Sequence, residues 1–81
     1  MVYYRCDYCG SKQSTTVMIA AADANQADKE FRNYLESFLI PRMGPSDQEP
    51  VMYSIANDEY WGARNAKRNT PGEPRFIGVL E

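Results

Sequence analysis

Two strand-like segments open the chain. Residues 2–6 are β-favouring, and in residues 15–21 the side chains follow the period of two that a strand imposes. Gly10, Ser11 and Lys12 lie between these segments and are typical of a turn. The pattern therefore predicts a β-hairpin. In its second strand, one face would carry Thr15, Val17, Ile19 and Ala21, and the other Thr16, Met18 and Ala20.

The apolar spacing then changes to three and four residues, which predicts one long helix. Asp23 is a typical N-cap residue, with Gln26 three residues later. Pro41 lacks an N–H group and its ring clashes with the preceding turn, so the helix is expected to end there. The apolar stripe of this helix consists of Ala24, Ala27, Phe31, Tyr34, Leu35, Phe38 and Leu39.

The second half of the chain holds shorter elements. Residues 41–50 contain three of the five prolines and show no periodicity, which predicts a loop. Residues 51–56 and 75–80 read as strands, whereas residues 58–69 fit either a short helix or a loop. The order ββαβ(α)β predicts a single α+β domain over residues 1–81. We expect a small antiparallel sheet of three to four strands with the long helix packed on one face.

Charge and hydropathy limit the partners and the cellular location that we expect for this protein. The 81 residues carry a formal net charge of −2, which gives no global attraction to nucleic acid or to an anionic membrane. The N-terminus has no signal-peptide pattern, and the chain has no run of about 18 apolar residues that could span a bilayer. We therefore expect a cytoplasmic protein without a membrane partner, in a compartment where thiols stay reduced.

The only two cysteines belong to the motif C-x-x-C-G. Because a fully extended chain would hold Cys6 and Cys9 about 10 Å apart, any joint role requires a turn. Gly10 permits the positive φ that tight turns use, and the motif resembles one knuckle of a zinc ribbon. That resemblance implies zinc at Cys6 and Cys9, shared with a second protomer because structural zinc needs four ligands. The alternatives are two plain turn residues, a redox pair or a short disulfide.

The sequence contains few of the residues and motifs that catalysis uses. The chain has no histidine, which removes the usual general base near neutral pH and every histidine-dependent triad. Asp58 and Glu59 are adjacent, so their carboxylates diverge in a strand and in a helix alike. The sequence contains neither a phosphate-binding glycine loop nor a nucleophile elbow. We therefore expect that this protein is not an enzyme.

Residues 59–76 concentrate cations beside aromatic side chains. Single-stranded nucleic acid requires this combination, because phosphates need positive charge and bases need flat partners. In the alternative, Tyr60 and Trp61 close the core while the basic side chains solvate the surface. The candidate contact residues, for nucleic acid or for a protein partner, are Tyr60, Trp61, Arg64, Lys67, Arg68 and Arg75.

Two functional hypotheses follow. The first is a non-enzymatic protein-binding module, since six tyrosines offer large contact areas with polar tips. In size class the chain resembles the small proteins that phages and mobile elements use to inhibit or adapt host machinery, anti-CRISPR proteins among them. That similarity implies an inhibitor or adaptor of a larger protein or nucleoprotein complex. The second hypothesis is a nucleic-acid-binding regulator, linked as a homodimer by zinc at Cys6 and Cys9.

Overall fold

The chain forms an α+β fold, as its pattern predicts. The computed structural model describes residues 1–67 and 74–78. The strands form one four-stranded sheet in the order β3-β1-β2-β4. The elements in chain order are β1 (Val2–Cys9), β2 (Ser14–Ala21), α1 (Ala24–Tyr34), a π-turn (Leu35–Leu39), α2 (Ile40–Met43), β3 (Met52–Ser54), α3 (Asn57–Lys67) and β4 (Arg75–Gly78).

The sheet is mixed, whereas the sequence predicted an antiparallel one. The predicted hairpin is present, and β1 pairs antiparallel with both β2 and β3. In contrast, β4 lies parallel to β2, from Arg75 beside Val17 to Gly78 beside Ala20. A pattern of side chains looks the same in either strand direction, since direction is set by the connection that precedes the strand. The prediction of an exclusively antiparallel sheet is therefore wrong at β4.

Alternation along β2 separates the apolar residues into two clusters, as predicted. Val17 and Ile19 face α1, and Met18 faces α3, where it packs with Tyr60. The long helix thus covers one face of the sheet, which confirms that part of the prediction. Residues 58–69 fitted either a helix or a loop, and their described part belongs to α3, which packs on the opposite face.

The long helix begins where it was predicted but extends further. The carboxylate of Asp23 accepts a hydrogen bond from the Gln26 N–H at 2.8 Å, so the predicted N-cap is confirmed. The chain nevertheless stays helical past Pro41 to Met43. The π-turn Leu35–Leu39 comes just before the proline, and its wider i→i+5 turn gives the ring more room than an α-turn. The predicted end at Pro41 is therefore wrong.

The hairpin turn docks on the end of α2, and Gly10 makes this docking possible. The N–H groups of Lys12 and Gln13 donate to the Met43 carbonyl at 2.8 and 3.1 Å, which satisfies an acceptor that a helix end leaves free. A Cβ atom on Gly10 would collide with that carbonyl oxygen and would lie 2.6 Å from the Gly44 oxygen. Because Gly10 does not have a positive φ, close backbone approach, and not turn geometry, explains this glycine.

Candidate binding surface

The predicted knuckle of Cys6 and Cys9 is wrong, because both cysteines lie within the extended strand β1. Residues three apart along a strand point to opposite faces, with Cα atoms about 10 Å apart. Cys6 is fully buried opposite Val17, whereas Cys9 is exposed opposite Ser14, and both are free thiols. The two cysteines therefore do not converge on one metal ion or form a disulfide with each other. The described residues also contain no group of three or more potential metal ligands.

Cys6 is a core residue. Burial raises the pKa of its thiol to about 11, the charge of Asp7 adds to this rise, and a hydrogen bond from the Val51 backbone opposes it. The thiol therefore stays protonated at neutral pH. Since the thiolate is the form that binds metals and attacks disulfides, this environment suits neither the zinc interpretation nor the redox one.

The predicted aromatic contact residues pack between α3 and the sheet. Tyr60 is fully buried, which makes it unable to contact a partner, and its hydroxyl accepts a hydrogen bond from Arg64 at 3.1 Å. The indole N–H of Trp61 donates to the Tyr3 hydroxyl at 3.1 Å. The Arg64 guanidinium lies 5.7 Å from the Trp61 ring centroid and 5.6 Å from that of Phe76. This arrangement matches the alternative in which Tyr60 and Trp61 close the core.

Two of the predicted cations, Arg64 and Arg75, lie on opposite faces of the sheet. Arg75 faces the α1 side of the sheet, where its guanidinium lies 4.6 Å from the centroid of the Phe38 ring. Arg64 instead lies on the α3 side. Lys67 is the last residue of α3, and Arg68 lies outside the described residues. The sheet therefore separates Arg64 from Arg75, and residues 59–76 do not present both cations on one surface.

A polar network that the sequence analysis missed lies on the α3 side of the sheet, at the end that α3 leaves open. We call it the Asp7 network; its members are Arg5, Asp7, Thr16 and Tyr53. The Asp7 carboxylate accepts hydrogen bonds from Thr16 at 2.8 Å, from Tyr53 at 3.1 Å and from Arg5 at 3.3 Å. Hydrogen bonding, from Thr16 most strongly, holds the pKa of Asp7 below its usual value. The network therefore presents an ionised carboxylate whose orientation is fixed by three strands.

The sequence contained only part of the signal for this network. Arg5 and Asp7 are two residues apart in a predicted strand region, so they share a face. Thr16 joins them through the hairpin register, in which it lies directly opposite Asp7. Tyr53 comes from a strand 46 residues away from Asp7 along the chain, and only the pairing of β3 with β1 places it there.

A hollow of ≈ 330 Å³ lies between the Asp7 network and α3. Arg5 and Thr16 border it on the network side, and Glu59 and Ala63 border it on the helix side. Tyr53, at 45% exposure, is one of the exposed large hydrophobic side chains among the described residues. In protein interfaces, aromatic and arginine side chains beside small pockets contribute much of the binding energy. This part of the surface has that composition and shape.

The edge of β3 adjoins the network. The Ile55 N–H donates to the Tyr3 carbonyl at 3.0 Å, and residues of an antiparallel ladder alternate in direction. Met52 and Ser54 therefore direct their N–H and C=O groups away from β1. Within residues 1–67 and 74–78, no strand pairs with that side of β3. An open strand edge is a template onto which another chain can add a strand.

Comparisons with known proteins add no further assignment. No protein-family model, curated protein or solved structure matches the chain. In the described part of the chain, no helix is long and apolar enough to cross a bilayer. Support for a function therefore comes from the structure itself, from the Asp7 network and the edge of β3.

Proposed function

We propose that this protein is a non-enzymatic protein-binding module that contacts its partner through the Asp7 network and the edge of β3. The observation that carries the proposal is the arrangement of the network on an open sheet face, beside a hollow and next to an unpaired strand edge. These three features adjoin one another, so one partner can contact all of them. The absence of histidine and of catalytic motifs from the sequence supports a role in binding.

The network is suited to binding because its side chains are already held in place. Association costs about 0.5–1.5 kcal/mol for each flexible side chain that the interface immobilises. Hydrogen bonds to Asp7 restrain Thr16, Tyr53 and Arg5 before any partner arrives. A prearranged surface therefore keeps more of its interaction energy as affinity. A partner that leaves Asp7 without its hydrogen bonds would be disfavoured, which gives the surface selectivity.

The partner that we propose is a larger protein or nucleoprotein complex. An extended segment of that partner would pair with the outward backbone groups of Met52 and Ser54, and a neighbouring side chain would fill the hollow. An inhibitor or adaptor acts by occupying a surface of its target, so a module of this kind needs no catalytic group. The resemblance in size class to small phage and mobile-element proteins supports this choice of partner.

Single substitutions test the surface without disturbing the core. Arg5→Ala and Tyr53→Ala each remove an exposed or half-exposed side chain of the network. Arg32→Ala is the matched control, because Arg32 is also an exposed arginine that pairs with an aspartate, Asp28, but it lies on α1. Circular dichroism would establish that all three variants keep the fold.

The assay is quantitative affinity enrichment from an extract of the source cells, with the enriched proteins identified by mass spectrometry. We expect a partner that is enriched by the wild-type protein and by Arg32→Ala. Its recovery should fall at least about tenfold with Arg5→Ala or Tyr53→Ala, which corresponds to about 1.4 kcal/mol. Equal recovery with all four proteins would show that binding occurs elsewhere, and recovery of no stoichiometric partner would contradict the proposal itself.

A further inference from the structure

A second cluster of aromatic and basic side chains lies on the α1 side of the sheet. We call it the arginine cluster; its members are Tyr34, Phe38, Arg42 and Arg75. The rings of Tyr34 and Phe38 are stacked, with centroids 4.9 Å apart and planes 12° apart. The guanidinium carbons of Arg42 and Arg75 lie 5.0 and 4.6 Å from the Phe38 centroid. Two guanidinium groups thus share one aromatic ring.

The fold assembles this cluster from two elements. Tyr34, Phe38 and Arg42 are spaced by four residues along the helical segment that includes the π-turn. In an α-helix of 3.6 residues per turn, side chains four residues apart are rotated relative to one another around the helix axis. A π-turn has more residues per turn, so it reduces this rotation and keeps the three side chains closer to one face. Arg75 comes from β4, where its pairing with Val17 directs it to the α1 side. The cluster therefore requires both the π-turn and the parallel register of β4.

In the described part of the chain, the two arginines have no acidic partner. Neither Arg42 nor Arg75 forms a salt bridge within the described residues. The carboxylates that act on the other arginine of this helix, Arg32, are those of Asp28, Glu49 and Glu36. Because both guanidinium groups lie within 5.0 Å of the same ring centroid, they are no more than about 10 Å apart. This distance does not exceed the Debye length of about 10 Å at 0.1 M salt, so salt does not fully screen one charge from the other. They therefore repel each other, and an anion held between them would relieve that repulsion.

We propose that Arg42 and Arg75 bind phosphate groups of a single-stranded nucleic acid. The guanidinium fork matches the geometry of phosphate oxygens. Phe38 is already covered by Tyr34 and by the two guanidinium groups, so the partly exposed ring of Tyr34 is the flat surface on which an unpaired base would stack. An acidic peptide would not use that surface. The site is independent of the proposed partner surface, because the arginine cluster and the Asp7 network lie on opposite faces of the sheet.

Salt dependence makes the proposal quantitative. Two phosphate contacts with a single strand predict a slope of about −1.4 for log K against log salt concentration. Arg42→Gln removes one contact without disturbing the core, because Arg42 is exposed. The slope should then fall to about −0.7, with a loss of affinity of roughly eightfold at 50 mM salt. Arg32→Gln, in the same helical segment, is the control and should leave both quantities unchanged.

The experiment is fluorescence anisotropy of a labelled oligothymidine of about 16 nucleotides, a length at the upper end of known single-domain sites. We expect binding at low salt with the predicted slope, weakened by Arg42→Gln and not by Arg32→Gln. Absence of binding at low salt, or equal binding by Arg42→Gln, would overturn the proposal. Competition by polyglutamate as strong as by unlabelled oligothymidine would also overturn it, because the cluster would then recognise acidic chains in general.

Discussion

Substituting alanine for Gly10 should lower the stability of this protein, whereas substituting alanine for Gly62 should raise it. At Gly10, a new Cβ atom would collide with the Met43 carbonyl oxygen and would lie 2.6 Å from the Gly44 oxygen. These are backbone atoms at the end of α2, so they cannot move aside as a side chain would. At Gly62, within α3, an added Cβ would meet nothing within 4 Å. Both substitutions add one methyl group, but only Gly10→Ala must separate two parts of the fold.

The size of the effect at Gly10 follows from the hydrogen bonds that the collision would break. Ser11, Lys12 and Gln13 donate backbone hydrogen bonds to α2 and to Pro45 at 2.8 to 3.1 Å. Each such bond contributes about 0.5–1.5 kcal/mol net, so losing all three costs about 1.5–4.5 kcal/mol. Alanine also lowers the conformational entropy of the unfolded chain, which offsets this cost by about 0.4–1 kcal/mol. We therefore expect a net destabilisation of about 1–4 kcal/mol.

Gly62→Ala should stabilise the protein by up to about 1 kcal/mol, because alanine is the better helix former and the site is open. Urea denaturation followed by far-UV circular dichroism would measure both free energies of unfolding. For a chain of this length, each kcal/mol corresponds to about 4–8 °C in Tm, so thermal unfolding gives a second reading. If Gly10→Ala were as stable as the wild type, or as stable as Gly62→Ala, the docking of the hairpin on α2 would be refuted.

Three further predictions concern burial and charge. An alkylating reagent at neutral pH should label Cys9 in the folded protein and Cys6 only in denaturant, since the buried thiol has a pKa of about 11; mass spectrometry would count the labels. Tyr8→Phe should cost about 1–3 kcal/mol in urea denaturation, because it leaves the buried Gly44 carbonyl without its 2.6 Å hydrogen bond. The pKa of Asp7 in the folded protein lies below its usual value of 3.8. The ionised carboxylate therefore stabilises the fold fully above the unfolded-state pKa, and this stabilisation is lost as the pH falls through the folded-state pKa. Asp7→Asn should therefore show a smaller loss of stability in an acid titration than the wild type.

The residues of the two proposed sites were only partly predictable from the sequence. Arg75 was a candidate for binding phosphate, and the proposal for the arginine cluster assigns it the same role. Tyr34 and Phe38 were assigned to the apolar stripe, because periodicity does not distinguish a buried position from one at the edge of the core. The Asp7 network was missed because its members come from three strands, and strand register is not a local property.

The sequence by itself determined the local elements of this protein. The period of two in β2, the Asp23 cap and the three-to-four spacing of the long helix depend on residues close together in the chain, and each is present as predicted. Short-range patterns are read reliably because the backbone geometry that produces them is local.

Tertiary structure decided what those elements do. It buried Cys6, placed Gly10 against the end of α2 and directed β4 parallel to β2. Each of these outcomes depends on contacts between segments that are distant in sequence. The same motif C-x-x-C-G can form a metal-binding turn or the end of a strand, and here the pairing of β1 with β2 and the contact with α2 select the strand.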